Sequence, residues 1–523
     1  MIQKTGKLII LLYIANCFLQ IATAQPTQEW VARYESPTGS SAIPNKMTLD
    51  KIGNCYVFGE ILDMNNDVIL IKYNSAGDTI WTRKYQGPGN ELPYGVIADS
   101  IGNCFITFSS GPDFGPYNIV TIKYSPQGVQ QWIKTYDSGT SDEPRDIVMD
   151  KQGNVYVGGF TSNESLIIKY NQSGDTAWTR KYTETNQRFP VLSIALDAQK
   201  NVIIAGNKIH TTNGSQVFFI IKYDSNAVFQ WVNNASITPS SSLAKVGVDA
   251  AGNVYATGQS GGQIFTVKYN AIGSLQWQRQ YDGLGGENAH DMGIDNIGNI
   301  IVTGTSSGSG SGVDYVTIKY STIGDSLWVK KYNGSANDND EAYSLSLDDS
   351  NNIYITGRSR NSGVTWDYVT VKYLSNGSQS WLATYNNSIA NSEDIAYEVA
   401  VDKNSNVFVT GLSDRGGVIF DYVTIKYSQT VGIISNSNNT PLDYLLHQNY
   451  PNPFNPSTII KYQLYKKANV ELNVYDITGK LVKQLLNKEQ NIGIYYVEYT
   501  SDNVSSGMYL YTLSADNFKE TKK

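Results

Sequence analysis

Three cysteines and three histidines in 523 residues leave little material for metal or nucleophilic chemistry. The histidines, His210, His290 and His447, are scattered, so the sequence indicates neither a zinc cluster nor a histidine-based triad. Only Cys55 and Cys104 lie beyond the first 24 residues, and they follow the turn asparagine in neighbouring repeat units. We expect both to be buried core thiols, and we expect no metal and no cofactor.

Charge is also sparse, because Asp, Glu, Lys and Arg make up 17% of the residues and the formal net charge is −7. No basic patch interleaved with aromatic residues is present, which argues against a nucleic-acid partner. No apolar run after residue 24 approaches the length of a membrane-spanning helix. We expect a soluble mature protein, and a monomer.

Residues 1–24 have the pattern of a secretory signal peptide. Lys4 and Lys7 precede an apolar run from Leu8 to about Ile21, and residues 22–24 read Ala-Thr-Ala. A transmembrane anchor is the alternative, but the run is short and Asn16 and Gln20 interrupt it. Cys17 follows asparagine, which fits a lipoprotein site poorly. We predict cleavage before Gln25.

The main body is a repeat of about fifty residues with four short strand-like pieces, a spacing typical of propeller blades. The first mark is an aspartate four residues before an asparagine, at Asp50, Asp99, Asp150, Asp197, Asp249, Asp295, Asp348 and Asp402. The second is a strand ending in Lys-Tyr, at Tyr73, Tyr124, Tyr170, Tyr223, Tyr269, Tyr320, Tyr373 and Tyr427. The third is a Trp-Tyr strand headed by Trp81, Trp132, Trp178, Trp231, Trp277, Trp328 and Trp381.

The Trp-Tyr strand that the last unit lacks is found at Trp30–Tyr34, ahead of the first unit. A ring of sheets must close, because an unclosed ring leaves unpaired edges. We therefore expect Trp30–Tyr34 to pair beside Val423–Tyr427. The predicted fold is an all-β, eight-bladed propeller closed by an N-terminal outer strand, with a seven-bladed ring containing one aberrant unit as the alternative.

Features shared by every repeat unit are expected to stabilise the propeller and not to bind a ligand. The Asp-x-x-Gly-Asn segment fits a hairpin turn better than a calcium loop, because it lacks the alternating acids and terminal glutamate of the calcium hand. The repeated tryptophans are expected to pack between sheets. Trp366 lies outside the repeat, in what we expect to be a loop at Gly363–Trp366, and is a candidate for ligand stacking.

A binding site is expected where the repeat breaks its own symmetry. Acids recur eight residues before the turn aspartate, whereas three units carry Ala42, Phe189 and Ser241 there. These positions would form the rim of a central channel, or the acids would accept loop N–H groups. The acids are Glu91, Asp142, Glu287, Asp340 and Asp394. The residues three positions further on are Tyr94, Arg145, His290, Tyr343 and Tyr397.

The repeat resembles a bacterial β-propeller family whose units contain D-x-x-G-N, K-Y and W-x-x-x-Y. Asp394–Gly411 and Asp421–Tyr427 carry the likeness most closely, and it covers Trp30 to Ser428. The resemblance implies a propeller fold and no common activity.

After a polar stretch the pattern changes. The expected domains are a signal peptide (1–24), a propeller (25–428), a linker (429–440) and a small β-sandwich (441–523) with strands at Thr458–Leu464, Val470–Tyr475, Gly493–Tyr499 and Ser506–Tyr511. The last module resembles the C-terminal sorting domain of type IX secretion in Bacteroidetes-type bacteria. The residues that carry the likeness are Pro451, Asn452, Pro453, Phe454, Asn455, Pro456, Asp476, Gly479, Lys480, Gly507 and Tyr509.

This resemblance implies recognition by the type IX machinery, export, removal of the tail, and release or attachment at the cell surface. Such tails usually end in a further apolar strand, whereas this sequence stops at Lys522-Lys523. We expect a secreted or cell-surface propeller that binds a glycan or peptide and has no enzymatic activity. A hydrolase or lyase acting on extracellular polymers is the alternative, although no pair of carboxylates is singled out.

Overall fold

The computed structural model describes residues 25–36, 39–63, 65–87, 89–113, 115–235, 238, 240–283, 285–308, 310, 312–360, 365–387, 392–416, 419–429, 444–449, 452, 457–500 and 507–523. The predicted signal peptide, most of the linker and Pro451, Pro453, Phe454, Asn455 and Pro456 lie outside these residues. Within them, the chain forms two compact units on either side of residue 430. No helix in this part of the chain has the length and apolar character needed to cross a membrane.

The first unit consists of short antiparallel strands, rich in Val, Ile, Tyr and Thr and bounded by turn residues. Their bounds are β1 Thr27–Tyr34, β2 Ser41–Leu49, β3 Cys55–Leu62, β4 Asp67–Tyr73, β5 Thr79–Tyr85, β6 Asn90–Ala98, β7 Cys104–Gly111, β8 Asn118–Tyr124, β9 Gln130–Tyr136, β10 Asp142–Met149, β11 Val155–Thr161, β12 Glu164–Tyr170, β13 Thr176–Tyr182, β14 Gln187–Arg188, β15 Val191–Leu196, β16 Val202–His210, β17 Gln216–Tyr223, β18 Phe229–Ala235, β19 Ser241–Val248, β20 Val254–Ser260, β21 Gln263–Tyr269, β22 Leu275–Tyr281, β23 Asn288–Ile294, β24 Ile300–Ser307, β25 Val313–Tyr320, β26 Ser326–Tyr332, β27 Asp340–Leu347, β28 Ile353–Arg360, β29 Trp366–Tyr373, β30 Gln379–Tyr385, β31 Asp394–Val401, β32 Val407–Asp414 and β33 Phe420–Ser428.

These strands form eight sheets, numbered here in chain order. Sheets 1, 2 and 3 are β2–β5, β6–β9 and β10–β13; sheet 4 is β14–β18; sheets 5, 6 and 7 are β19–β22, β23–β26 and β27–β30. Sheet 8 has the order β1-β33-β32-β31, so its fourth strand comes from the start of the described chain. Trp30 lies opposite Lys426 and Tyr34 opposite Tyr422. This is the strand pairing that the sequence predicts.

In sheet 4 we take β15 as the first strand, because β14 has only two residues. The first strands of successive sheets contact one another in chain order, and they are β2, β6, β10, β15, β19, β23, β27 and β31. β31 of sheet 8 also contacts β2 of sheet 1. The core lies between neighbouring sheets: one cluster joins Tyr56 and Phe58 of sheet 1 to Ile106 and Phe108 of sheet 2. Cys55 and Cys104 are buried free thiols, as expected.

The repeated aspartate organises a turn within each sheet. Asp50 Oδ1 accepts the backbone N–H groups of Ile52 and Asn54 at 3.1 and 2.9 Å. Its Oδ2 accepts Asn54 Nδ2 at 2.6 Å and the Tyr56 hydroxyl at 3.2 Å. Both oxygens are therefore occupied by donors of the turn itself, and the same backbone contacts recur at the other seven aspartates.

A lysine and a tryptophan of one sheet bind the turn of the next. In sheet 1, Lys72 Nζ and Trp81 Nε1 both donate to the carbonyl of Pro126 at 3.0 Å. The aromatic ring also packs on the adjacent glycine, Gly128, which has a φ of +77°. The repeated tryptophan thus packs between sheets and satisfies a turn carbonyl.

Sheet 8 repeats this contact across the junction between the two ends of the repeat. Trp30 Nε1 and Lys426 Nζ donate to Ser75 O of sheet 1 at 3.1 and 3.0 Å. Sheet 7 faces no such turn, because β33 is followed by the end of the repeat. There Trp381 Nε1 donates to the side-chain Oε1 of Gln429 at 3.2 Å, and Lys372 donates to the same oxygen. Gln429, the first residue of the predicted linker, is therefore part of the first unit.

The second unit is a two-sheet sandwich. Its strands are β34 Leu445–Leu446, β35 Ser457–Leu464, β36 Ala468–Asp476, β37 Leu481–Gln490, β38 Gly493–Thr500, β39 Tyr509–Ala515 and β40 Phe518–Lys522. The sheets have the orders β34-β35-β38 and β37-β36-β39-β40. Tyr462 and Leu464 from one sheet pack with Leu472 and Leu513 from the other. β34, β37 and β40 are additions to the predicted strands, and β40 pairs with β39.

Candidate functional site

Every first strand has a β-bulge at the same place. In β27 the register shifts between Ala342 and Ser344, which leaves Tyr343 as the bulge residue. A bulge leaves one residue out of the ladder and re-aims its side chain. The equivalent bulge residues are Asn45, Tyr94, Arg145, Leu192, Ala244, His290 and Tyr397. Five of the eight are residues that the sequence singles out.

The bulge depends on a glycine in the second strand of most sheets. A Cβ on Gly357 would lie 1.9 Å from the carbonyl oxygen of Glu341, and one on Gly411 would lie 2.0 Å from that of Ile395. The backbones can approach only because this residue has no side chain. The glycine of the Val-Thr-Gly segment is therefore required by the bulge opposite it.

The five recurring acids do not line an opening. Their side chains are buried, and they accept hydrogen bonds from the loops that precede the first strands. Asp142 accepts Ser138 N at 2.7 Å, and Asp340 accepts Gly334 N at 2.6 Å. Asp394 accepts Asn387 N at 3.0 Å, and Glu287 accepts Gly285 N at 3.0 Å. Glu91 accepts the Ser110 hydroxyl at 2.9 Å.

Burial has an electrostatic consequence for these acids. Desolvation raises the pKa of Glu91 to about 7 and that of Asp340 to about 6. It also raises the pKa of Asp394, although bonds from Ser413 and Asn387 oppose the change. The acids thus have a structural role in anchoring the loops, and we leave them out of the candidate site.

Three bulge residues on adjacent sheets form an aromatic row. The rings of His290 and Tyr343 have centroids 5.7 Å apart, and those of Tyr343 and Tyr397 are 6.0 Å apart. His290 is exposed, and the two tyrosines are half-buried. Desolvation by the surrounding protein lowers the pKa of His290, against an opposing effect of Glu341. The imidazole is therefore disposed to be neutral at pH 7.

Trp366 joins this row through an arginine. The Arg358 guanidinium lies 4.0 Å from the Trp366 ring centre and 5.7 Å from that of Tyr343. Arg358 Nη2 also donates to both carboxylate oxygens of Glu341 at 2.9 Å. The expectation of a loop position for Trp366 is wrong: it is the first residue of β29, paired with Arg360, because β28 and β29 extend further than the repeat suggests.

A second, smaller group surrounds Arg145. Its guanidinium lies 5.0 Å from the ring centre of Tyr94 and 5.3 Å from that of Phe160. Arg145 Nη2 donates to Glu143 at 2.8 Å, and the Tyr94 hydroxyl donates to the same oxygen at 3.3 Å. Tyr94 and Arg145 are thus brought together on sheets 2 and 3, and Arg145 lines one cavity together with His290 and Tyr343 of the row.

One position beyond the bulge lies a set of polar residues that the sequence interpretation missed. They line a cavity of about 140 Å³, termed here the first-strand cavity, to which seven of the eight first strands contribute. Lys46 pairs with Glu398 at 3.1 Å and Lys245 with Asp146 at 3.6 Å. A charged residue four positions after the recurring acid, in several units, was the available signal. The members of this set are Lys46, Asp146, Lys245, Asp291, Ser344 and Glu398.

These polar residues also join neighbouring sheets. Asp291 Oδ2 accepts the backbone N–H of Leu345 in the next sheet at 2.8 Å. Ser344 Oγ accepts that of Val399 at 3.3 Å and donates to Glu398. Leu345 and Val399 come directly after Ser344 and Glu398, the residues at which strand pairing resumes after the bulge. The bulge therefore supplies both the re-aimed side chains and the hydrogen bonds that fix their spacing.

Among the described residues, no group of three or more His, Cys, Asp or Glu side chains is arranged to hold a metal ion.

In the tail, the predicted sorting residues Asp476, Gly479 and Lys480 form a turn. Asp476 Oδ1 accepts Lys480 N at 3.1 Å, and Gly479 has a φ of +83°. Asn452 donates to Asn449, Gly507 is exposed, and Tyr509 opens β39.

Comparison with known proteins identifies the tail. Residues 448–523 match the family of secretion system C-terminal sorting domains. The match supports the predicted type IX recognition and indicates export to a secreted or outer-surface location. Comparison of the whole chain with curated protein sequences gives no match.

Solved structures resemble the chain at low identity. A Dyadobacter fermentans protein of unknown function shares 7% identity, with a TM-score of 0.42, 77% of this chain covered and 99% of that one. Dipeptidyl peptidase 4 of Porphyromonas gingivalis shares 9%, with a TM-score of 0.42 and coverage of 82% and 65%. A Lactobacillus plantarum protein shares 15%, with a TM-score of 0.36 and coverage of 66% and 98%. The propeller-like all-β fold of the first unit is shown by its eight antiparallel sheets.

Proposed function

We propose that the first unit is an eight-bladed propeller closed by β1. Three observations support closure: β1 pairs with β33, β31 contacts β2, and the Trp30–Lys426 contact with Ser75 repeats the contact between sheets 1 and 2. The count of eight sheets argues against the seven-bladed alternative. The repeat would then be of the bacterial propeller family that it resembles.

This propeller acts as a non-enzymatic binding protein of a Bacteroidetes-type cell, exported after removal of residues 1–24. It recognises a glycan or peptide through the row formed by His290, Tyr343 and Tyr397 together with Trp366. The row carries the proposal. Its aromatic rings are exposed or half-buried and are held on the first strands of neighbouring sheets, so they offer contact area to a ligand at a low entropic cost.

The carboxylates near this row are engaged in ways that suit a binding surface. Glu341 is held by two bonds from Arg358 and by the Tyr343 hydroxyl at 2.6 Å. Glu398 and Asp146 are paired with lysines. Carboxylates whose oxygens are already bound by cationic side chains are not free to contact a substrate, which disfavours a two-carboxylate hydrolase. The polymer-degrading alternative therefore receives no support from these groups.

Glycan and peptide arrays, probed with the purified full chain, test the proposal. A specific ligand should be found, and Tyr343→Ala and Trp366→Ala should each weaken its binding about tenfold or more. Asn45→Ala, at the bulge of sheet 1 and outside the row, is the matched control and should bind normally. Binding that survives both aromatic substitutions would place the ligand elsewhere, and turnover of a labelled polysaccharide would favour an enzyme.

A further inference from the structure

A second cavity lies at the aspartate-turn end of the sheets, between sheets 2 and 3. It has a volume of about 610 Å³ and is termed here the turn-face cavity. Ile101, Phe105 and Met149 supply its apolar lining. Lys51, Lys123 and Lys151 supply its cationic groups.

A missing hydroxyl distinguishes this junction from the one between sheets 1 and 2. In sheet 1, the Tyr56 hydroxyl donates to Gly102 O of sheet 2 at 2.9 Å and to Asp50 at 3.2 Å, so it bridges the two turns. The equivalent residue of sheet 2 is Phe105, which has no group to reach the turn of sheet 3. Sheet 8 also has phenylalanine here, at position 408.

Other sheets without this tyrosine fill the place differently. Where isoleucine stands in sheets 4 and 6, a lysine pairs with the turn aspartate: Lys222 with Asp197 at 3.1 Å, and Lys319 with Asp295 at 3.0 Å. In sheet 2, Lys123 makes the bond to the next turn that Lys222 and Lys319 also make, to Gln172 O at 3.1 Å, and lies 5.3 Å from the ring centre of Phe105. Neither arrangement closes the cavity between sheets 2 and 3.

The charge at this cavity is unbalanced. Asp99 is occupied by its own turn, since it accepts the N–H groups of Ile101 and Asn103 at 3.0 and 2.8 Å and Asn103 Nδ2 at 2.6 Å. Lys51 and Lys151 are exposed and form no ion pair with any residue in the described ranges. Asp150, which also lines the cavity, is bound by its own turn in the same way. The lining thus holds three lysines against two aspartates, and Lys51 and Lys151 are exposed cations beside an apolar floor.

Apolar surface continues beyond the cavity itself. Ile101, which lines it, is 73% exposed, and Ile52, next to Lys51, is 76% exposed. Isoleucines at other turns, such as Ile272 and Ile297, are equally exposed, so Ile52 and Ile101 only add apolar surface beside the lysines of this cavity.

We propose that the turn-face cavity binds an amphiphilic anion, namely a phosphate or carboxylate head group carried on an alkyl body. The head group lies between Lys51 and Lys151, and the alkyl body packs on Ile101, Phe105 and Met149. This site is independent of the aromatic row, and either can exist without the other.

Calorimetric titration of the full chain with dodecyl phosphate below its micelle concentration tests the site. The double variant Lys51→Gln/Lys151→Gln should bind at least about tenfold more weakly, because it removes both ammonium groups. Phe105→Tyr restores the bridging hydroxyl found in sheet 1 and should cause a similar loss by closing the cavity. Lys403→Gln, on the equivalent turn of sheet 8 and outside the cavity, is the control and should bind normally.

Two comparison ligands separate this proposal from simpler ones. Inorganic phosphate binding as tightly would indicate a plain anion site, and dodecanol binding as tightly would indicate an apolar site; either result overturns the proposal. Unchanged affinity in the lysine and Phe105→Tyr variants would overturn it too. Given binding of the free amphiphile, cosedimentation with anionic but not zwitterionic phospholipid vesicles would assign a membrane lipid as the source, and its absence a soluble amphiphile.

Discussion

At the scale of single residues, burial rather than residue type separates the two groups of conspicuous side chains. Glu91 and Asp340 attract attention as acids repeated at one position, yet both are enclosed by the loops they anchor. Tyr343 and Tyr397 lie three residues beyond such acids and remain accessible because of the bulge. Sequence periodicity locates both groups but cannot tell which of them faces solvent.

Stability should depend on pH through the buried acids. Folding raises the pKa of Glu91 to about 7, so the folded protein binds this proton more strongly than the unfolded chain does. The stabilisation is present below the unfolded pKa and is lost as pH rises through the folded value. The free energy of unfolding of the first unit should therefore fall between about pH 4.5 and pH 7, with a contribution of about 3 kcal/mol from Glu91.

Urea unfolding of the full chain at several pH values, followed by tryptophan fluorescence, measures this effect. Glu91→Gln, which cannot ionise, should lessen the pH dependence. An identical slope in the variant and the unaltered protein would show that Glu91 does not titrate in this range.

At the scale of strands, a small set of repeated contacts makes the sheets alike. The turn aspartate, the lysine of Lys-Tyr and the tryptophan each satisfy a specific backbone group, so their roles follow from the repeat. The bulge could not be anticipated, because the strand segments on either side of it are only a few residues long, too short to show that the alternation of apolar residues changes phase by one position. As a result, the residues of the first-strand cavity were missed although they recur in the sequence.

Replacing a bulge glycine should be costly. Gly357→Ala would place a Cβ 1.9 Å from Glu341 O, a backbone atom that cannot move without disturbing the ladder. We expect a loss of about 2–4 kcal/mol in the free energy of unfolding. The measurement is denaturant unfolding of the full chain.

Gly158→Ala is the matched control, since its Cβ would lie 3.1 Å from Ile194 Cβ, a contact that a much smaller shift relieves. It should cost clearly less than Gly357→Ala. Equal effects would mean that loss of backbone freedom, rather than the close approach, determines the cost.

At the scale of the whole molecule, the numbers of the repeated segments indicate how the two ends of the repeat are joined. Seven Trp-Tyr segments against eight aspartate turns indicated that a strand was to be found elsewhere, and β1 pairs with β33. The sequence could not indicate that Gln429 would replace a turn carbonyl, because a single glutamine in a polar stretch has no pattern. Strands β37 and β40 of the tail were missed because their polar residues outnumber their apolar ones.

Removing residues 25–36 should destabilise the first unit and make it aggregate. The deletion takes away β1, leaves the edge of β33 unpaired, and removes the bond between Arg33 and Asp421 at 3.1 Å. We expect a lower midpoint of thermal unfolding and increased light scattering. Trp30→Phe, which keeps the strand and loses the indole N–H and part of the ring, should be affected much less. A deletion variant as stable and monodisperse as the full chain would contradict closure by β1.

The pairing of β1 with β33 also sets an order in time. Arg33 and Asp421 are separated by 388 positions, so β1 leaves the ribosome long before its partner strand exists. Contacts so distant in sequence form late and slowly. During this wait β1 must avoid other sheet edges, and its first three residues are suited to that: Thr27, Gln28 and Glu29 are polar and stay exposed even after docking. The pairing of β1 with β33 can thus form only after the chain has been synthesised as far as Ser428.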